Sequence, residues 1–320
     1  MWRRLRAGVT ATLWLAFALP AGAQPRPAIE DPEGTIVEEL VVVARERGPA
    51  WWRVSDGDTT VYILGVPGTP LPPGVAWDRS VLETRMKGAH SLVMGTSLQA
   101  GVKDIPALLK LRGRLKTKTP MEDSLPPALQ ARFLAARDRV GKPAARYSGW
   151  QPVVAGQLLV GDAYGMGKRW ASVEDAARKA AKRSRAPVRT TSKYPLVPFL
   201  KTAIAGLTPQ VQAECLEGAV SDVEAGVGPY RRAAEGWARG DVGAALNQPR
   251  AFDKCLLMLS GGAALWRTAT RDNVSDIATA LKTPGHAVAV INLRRLLAED
   301  GVVEQLEARG LRVVGPGEAG

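Results

Sequence analysis

The chain has 320 residues, 46% of them apolar, and carries 43 Lys and Arg against 31 Asp and Glu, for a net charge of +12. That apolar share supports a buried core and excludes a disordered chain. Its two cysteines exclude a small disulfide-framed scaffold, and beyond the N-terminus no apolar run reaches the roughly 18 residues of a membrane span.

Residues 1–23 read as an export signal. Met1, Trp2, Arg3, Arg4, Leu5 and Arg6 form a basic opening, residues 7–20 a short apolar stretch, and Ala21-Gly22-Ala23 a small-residue cleavage site before Gln24. A periplasmic or secreted protein is expected. Cleavage would remove three arginines and leave a net charge of +9. No nucleic-acid partner is expected of an exported chain that lacks a recognition motif. The basic residues gather at Lys110, Arg112, Arg114, Lys116 and Lys118, and at Arg178, Lys179, Lys182, Arg183 and Arg185. Each set suits phosphates or anionic lipid head groups, or forms a solvated face.

Residues 24–48 read as a flexible N-terminal arm. Residues 24–34 are Pro-rich and acidic, the composition of a disordered tail. Residues 35–47 are apolar and β-prone, as in a linker or an edge strand. The Glu38-Glu39-Leu40-Val41-Val42 stretch resembles the TonB box of outer-membrane receptors, a segment that pairs by strand addition.

From Trp51 onward the patterning is explicit. Two β-prone runs, Trp51 to Val54 and Thr59 to Leu64, flank Ser55-Asp56-Gly57-Asp58 and predict a β-hairpin that ends at Gly65. A Pro-rich loop follows, then a helix with Asp78 as its cap, Ser80 to Met86 as its body and Gly88 just beyond. Ser91 to Met94 reads as a buried strand. Residues 104–262 are mostly helical, with starts at Pro126-Pro127, Ser172 and Thr208-Pro209. A strand is expected over 187–191. The last sixty residues return to alternating character: a helix over 266–281, an apolar strand over 286–291, a helix from Asp300 and a closing strand over 311–314. The fold class expected is α/β (α+β): a central mixed sheet built from the N-terminal hairpin and C-terminal strands, with a large helical insertion. Residues 49–318 form one domain in this reading. Cys215 and Cys255 lie in helical segments, and an even count in an oxidising compartment favours a disulfide over two free thiols.

Trp51-Trp52-Arg53-Val54-Ser55-Asp56-Gly57-Asp58-Thr59-Thr60, the LPPG loop at Leu71 to Gly74, Trp237-Ala238-Arg239-Gly240-Asp241 and the closing segment from His286 together resemble the TraB/GumN family, which includes the Tiki-type proteases. The resemblance covers roughly residues 50–316. It implies a hydrolytic metal site with two histidines and acidic groups. Here Gly68 stands where the family has its first His, Gly95 where it has an acid, and Arg295 where it has its second His. Asn292 replaces a family Gly, and the acid expected near Thr191 or Ser192 is absent. Glycine offers no ligand, and arginine stays protonated.

No cofactor is therefore expected, and the resemblance implies a non-catalytic protein. Asn292, Arg294, Arg295, Gly68 and Gly95 are the candidate ligand-binding residues, at the crevice where α/β sheets bind ligands; arginines there suit a small anion. The partner would be that anion or an envelope protein. Two alternatives stand beside this reading: a divergent metal-dependent hydrolase or peptidase, and an envelope interaction protein acting through the arm at 35–47. His90 and His286 read as structural, as do Asp56 and Asp58 of the turn. Gly161-Asp162-Ala163-Tyr164-Gly165-Met166-Gly167 follows a helix rather than a strand, which argues against a phosphate loop.

Overall fold

A computed structural model describes residues 31–44, 46–167, 170–190 and 192–318. The export signal, its cleavage site before Gln24, residues 24–30 and Thr191 lie outside the described residues. β1 (Trp51–Ser55) and β2 (Thr59–Val66) form the expected hairpin, pairing Trp51 with Leu64 through to Ser55 with Thr60. The Asp56 carboxylate accepts from the Thr59 N–H at 3.0 Å and closes the turn. The second strand does not stop at Gly65. It runs to Val66, because glycine serves there for close packing rather than for breaking the strand. A Cβ at Gly65 would lie 2.7 Å from Leu293 and 2.9 Å from Trp52.

α1 (Ser80–Met86) starts where the Asp78 carboxylate accepts from the Ser80 N–H at 2.8 Å. β3 (Leu92–Met94) and β4 (Ser97–Gln99) follow. The helical insertion then holds α2 (Ile105–Arg114), α3 (Pro127–Val140), α4 (Pro152–Ala163) and α5 (Val173–Ser184). Prolines open α3 and α4, and Ser172 caps α5 by accepting from the Asp175 N–H at 3.0 Å. Next come β5 (Val188–Thr190), β6 (Lys193–Pro195), α6 (Leu196–Ala205), α7 (Pro209–Ala225), α8 (Val227–Ala238), α9 (Val242–Leu246) and α10 (Ala251–Met258). The chain closes with α11 (Gly262–Ala280), β7 (Gly285–Asn292), α12 (Leu293–Leu297), α13 (Val302–Glu307) and β8 (Arg312–Val314).

The main sheet has the order β5-β3-β7-β2-β1-β8. β5, β3, β7 and β2 are parallel, and β1 is antiparallel to both neighbours. This is the mixed sheet expected, and the chain is α/β. The apolar run Ala287 to Ile291 is at most 2% exposed, as a central parallel strand requires. β4 and β6, which no periodicity announced, pair as a separate parallel ribbon. One core packs around the sheet, and a second lies within the insertion around Phe133, Tyr147, Leu216 and Phe252. Cys215 and Cys255 are joined in that second core, with Cα atoms 5.3 Å apart. Among the described residues no helix is long and apolar enough to cross a membrane.

The N-terminal segment departs from expectation. Asp31 and Glu33, read as part of a disordered tail, fold back onto Arg250. Over 35–47 there is a short 3-10 turn at Glu38–Leu40 and two isolated bridges, Ile36 to Ala298 and Val43 to Asp241, instead of an edge strand. Composition suggested a free tail; two specific carboxylates paired with a distant arginine overrule it for the described part.

Candidate functional site

Three loops meet at the carboxyl ends of the parallel strands. The chain leaving β2 crosses to β3 on the far side of β7, and the chain leaving β7 crosses to β8 on the far side of β2. Adjacent strands whose connections diverge in this way open a crevice between their ends, the usual ligand position in such sheets. Val66 and Asn292 are register partners at that point. The cleft is small, about 50 Å³ in volume, and is walled by Val66, Pro67, Gly68, Leu246, Gln248, Arg250, Asp253, Asn292, Arg294 and Glu33. It can take a carboxylate or phosphate group but not a drug-sized molecule.

Gly68 and Asn292 fit one another. A Cβ on Gly68 would come within 2.9 Å of the Asn292 amide nitrogen. The resemblance to the TraB/GumN pattern implies His at the first position and Gly at the second, whereas here the Asn292 amide takes up the space beside Gly68. The amide oxygen of Asn292 also accepts from the Arg295 N–H at 3.1 Å and caps α12.

Arg294 lies along the wall, donating to the carbonyls of Leu246 and, at 3.5 Å, Glu33. Its Nε is buried without a partner, and burial holds the guanidinium below the usual arginine range. Arg250 donates to Asp31 at 2.8 Å and to Glu33 at 3.3 Å, while Trp266 donates to Glu33 at 3.1 Å. Burial works against the Asp31 carboxylate, but the hydrogen bond and charge of Arg250 hold it below the usual range. Glu33, from the chain's own N-terminal segment, thus forms part of the cleft wall.

Of the five candidate residues, Gly68, Asn292 and Arg294 converge on this cleft. Gly95 and Arg295 stay outside its wall. Gly95 sits beyond β3, its N–H donating to the Val290 carbonyl at 3.2 Å. Arg295 is half-buried, with an unpartnered Nε, and burial lowers its pKa while the charges it feels come from Glu33 and Tyr194. The cleft presents the Gln248 and Asn292 amides, the Arg250 and Arg294 guanidinium groups and two carboxylates, Glu33 and Asp253, with Glu33 already paired to Arg250 and no imidazole among them; this set does not fit the metal that the family pattern implies. Among the described residues no group of three or more His, Cys, Asp and Glu side chains is arranged to hold one.

The histidines lie at the opposite, amino-terminal end of the parallel strands. His90 donates its N–H to the His286 carbonyl at 2.8 Å, and His286 Nε2 is 3.0 Å from the Arg85 carbonyl. His286 is six residues before Asn292 on β7, which at strand rise separates them by roughly 20 Å. A larger cavity, of about 230 Å³, is lined by Trp51, Arg53, Tyr62 and Arg85. It lies away from the strand ends, and Arg85 there is stacked 4.6 Å from each aromatic ring and paired with Glu46 at 2.8 Å. Each site holds a buried arginine nitrogen without a partner, Arg85 Nη1 in the cavity and Arg294 Nε in the cleft; the cleft lies at the switch point of the parallel strands and is the stronger site.

Glu33, Gln248, Arg250 and Asp253 were not singled out by sequence. Only the fold brings the loop before α10 and the N-terminal segment to the strand ends. Asp253 is pushed up to about 6, chiefly by burial, with the Asp222 carboxylate adding repulsion against the attraction of Arg250. Water reaches the exposed side of Asp253 and moderates that shift. Between the ordinary value of 3.8 and about 6, the native residue keeps a proton that the unfolded chain has lost. Its contribution to stability therefore falls as pH rises through that window. Asp253→Asn should raise the urea midpoint at pH ~7, by about 1 kcal/mol after allowance for solvent, and leave it nearly unchanged at pH ~4. An equal gain at both pH values would show that the carboxyl is not the cause.

Comparison with known proteins adds one finding. A model of the family described as TraB/PrgY/gumN matches residues 50–314. No curated protein and no solved structure matches the chain.

Proposed function

This chain belongs to the TraB/PrgY/gumN family, and on that premise we propose that it is an exported, non-catalytic member whose cleft receives a single anionic group. That group is a small carboxylate or phosphate, or the acidic side chain of an envelope protein. The observation that carries the reading is Arg294: it lines the cleft, and its Nε is buried with no acceptor. An incoming oxyanion would supply that acceptor. Arg250 supports the reading from the next position, since it already holds two carboxylates of the same chain. Gly68 and Asn292 support the absence of hydrolysis, because the amide occupies the place of the family's first ligand.

Calorimetric titration with inorganic phosphate and with citrate tests this. Binding is expected to weaken roughly tenfold or more in Arg294→Gln, the loss of one charge-assisted hydrogen bond. Equal binding by the variant, or none by the wild type, would end the reading. A second reading, a divergent hydrolase, is favoured by Asp253, a cleft carboxyl near 6 that could exchange a proton near neutral pH. Peptide hydrolysis abolished by Asp253→Asn would select it.

A further inference from the structure

The segment from Leu98 to Lys118 lies outside the cleft and is built differently from the rest of the surface. Four of the eight exposed large apolar residues among the described residues fall within it: Leu98 at 40%, Val102 at 84%, Ile105 at 49% and Leu109 at 60% exposure. Val102 stands one turn before Ile105, and Ile105 and Leu109 are one turn apart on α2. They share a face, while Leu111 on the opposite side is buried. Arg112 falls on one flank of this stripe and Lys110 on the other, while Arg114 lies toward the reverse face.

The charge is as one-sided as the apolar face. Lys103, Lys110, Arg112, Arg114, Lys116 and Lys118 are all exposed, and Asp104 is the only acidic residue in the segment. Asp104 is engaged locally, its carboxylate accepting from the Gly101 N–H at 2.8 Å. None of the six cations forms an ion pair with a described residue, although ion pairs occur at arginines elsewhere. Arg112 and Lys116 instead rest on Trp150, at 5.3 and 3.5 Å from its ring. The patch is firmly mounted: Gln151 donates to the Leu115 carbonyl at 2.8 Å and to the Arg114 carbonyl at 2.9 Å.

We infer that this face docks the protein onto an anionic membrane surface. This goes beyond the cleft reading and does not depend on it. An exposed apolar stripe with unpaired cations on both flanks matches an interfacial helix, with the side chains entering the acyl boundary and the cations meeting lipid phosphates. A protein partner would have to supply an acidic rim around an apolar groove; an anionic bilayer supplies both layers everywhere. The length of α2, ten residues, suits lying in the interface and not crossing it.

Flotation of the purified protein with vesicles tests the inference. The protein is expected to float with phosphatidylcholine vesicles containing roughly 30 mol % phosphatidylglycerol and to stay behind with phosphatidylcholine alone. Raising salt from about 0.1 M to about 0.5 M should release much of it. Lys110→Gln with Arg112→Gln should weaken binding roughly 25-fold, at about fivefold per charge. Ile105→Asp with Leu109→Asp should abolish it. All four sites are exposed, so melting temperatures should stay within about 2 °C of the wild type. Equal flotation with uncharged vesicles, or wild-type flotation by both variants, would overturn the inference. So would self-association in solution that Ile105→Asp with Leu109→Asp breaks, without vesicle binding by the wild type.

Discussion

Reduction of the Cys215–Cys255 bond should lower the stability of this protein by about 4 kcal/mol. The bond closes a loop of sequence separation 40 between α7 and α10, and the chain-entropy account assigns such a loop about that value. Both residues are buried, at 0% and 5% exposure, so the reduced thiols keep their packing. The loss therefore acts mainly through the freed unfolded chain. Urea midpoints of the oxidised and reduced protein, and of Cys215→Ala with Cys255→Ala, measure it; coincident midpoints would contradict it. The same sample reports on export. If the signal is removed as proposed, the intact mass of protein recovered from the periplasm is that of a chain beginning at Gln24, less two hydrogens for the bond.

Asp222→Ala should cost about 3 kcal/mol, and for a related reason. Asp222 lies on α7, 6% exposed, and its two carboxylate oxygens accept the first N–H groups of α10, from Ala251 at 3.0 Å and Phe252 at 2.9 Å. A helix cap supplied from another helix is worth more than a local one when its donors are buried, because no water replaces it. Alanine leaves both donors unmet. Asp222→Asn keeps one acceptor oxygen and should cost about half as much. Burial holds the Asp222 carboxyl above its usual range, despite the two N–H groups that favour its charge. Removing it should also lower the pKa of Asp253, which it now repels. Chemical denaturation and the titration of Asp253 read the two effects separately. A variant as stable as the wild type would show that the cap is dispensable.

The two predictions concern one structural seam. α10 follows the loop carrying Arg250 and itself carries Asp253, both in the cleft wall. The disulfide and the Asp222 cap fix this helix against α7, and so set the position of the cleft's charges relative to the sheet. The two losses should not add, since each removes part of what the other restrains. A double-mutant cycle is expected to show a coupling of about 1 kcal/mol.

Much of the fold was legible along the chain. Alternation around Asp56-Gly57 specified the hairpin, because a period of two with a tight turn has few other solutions. The unbroken run from Ala287 to Ile291 marked a strand buried on both faces. The starts of α3, α5 and α7 were readable from Pro, Ser and Thr, whose effects reach only one turn of helix. β4 and β6 were missed, since strands of three residues each lean on one another, while α6, α8 and α9 fell inside the helical stretch expected over 104–262 without being told apart there.

By itself the sequence determined the local elements and the family frame from Trp51 to the closing strand, since short-range patterning dictates both. Only the tertiary structure decided that Gly68 abuts the Asn292 amide, that Arg294 lines the cleft while Gly95 and Arg295 lie outside its wall, and that Asp31 meets Arg250 across 219 residues. The physical reason is reach. Propensity and periodicity act over a turn or two of chain, whereas the partner of a charge, and the space beside a glycine, are set by which distant elements the topology brings together.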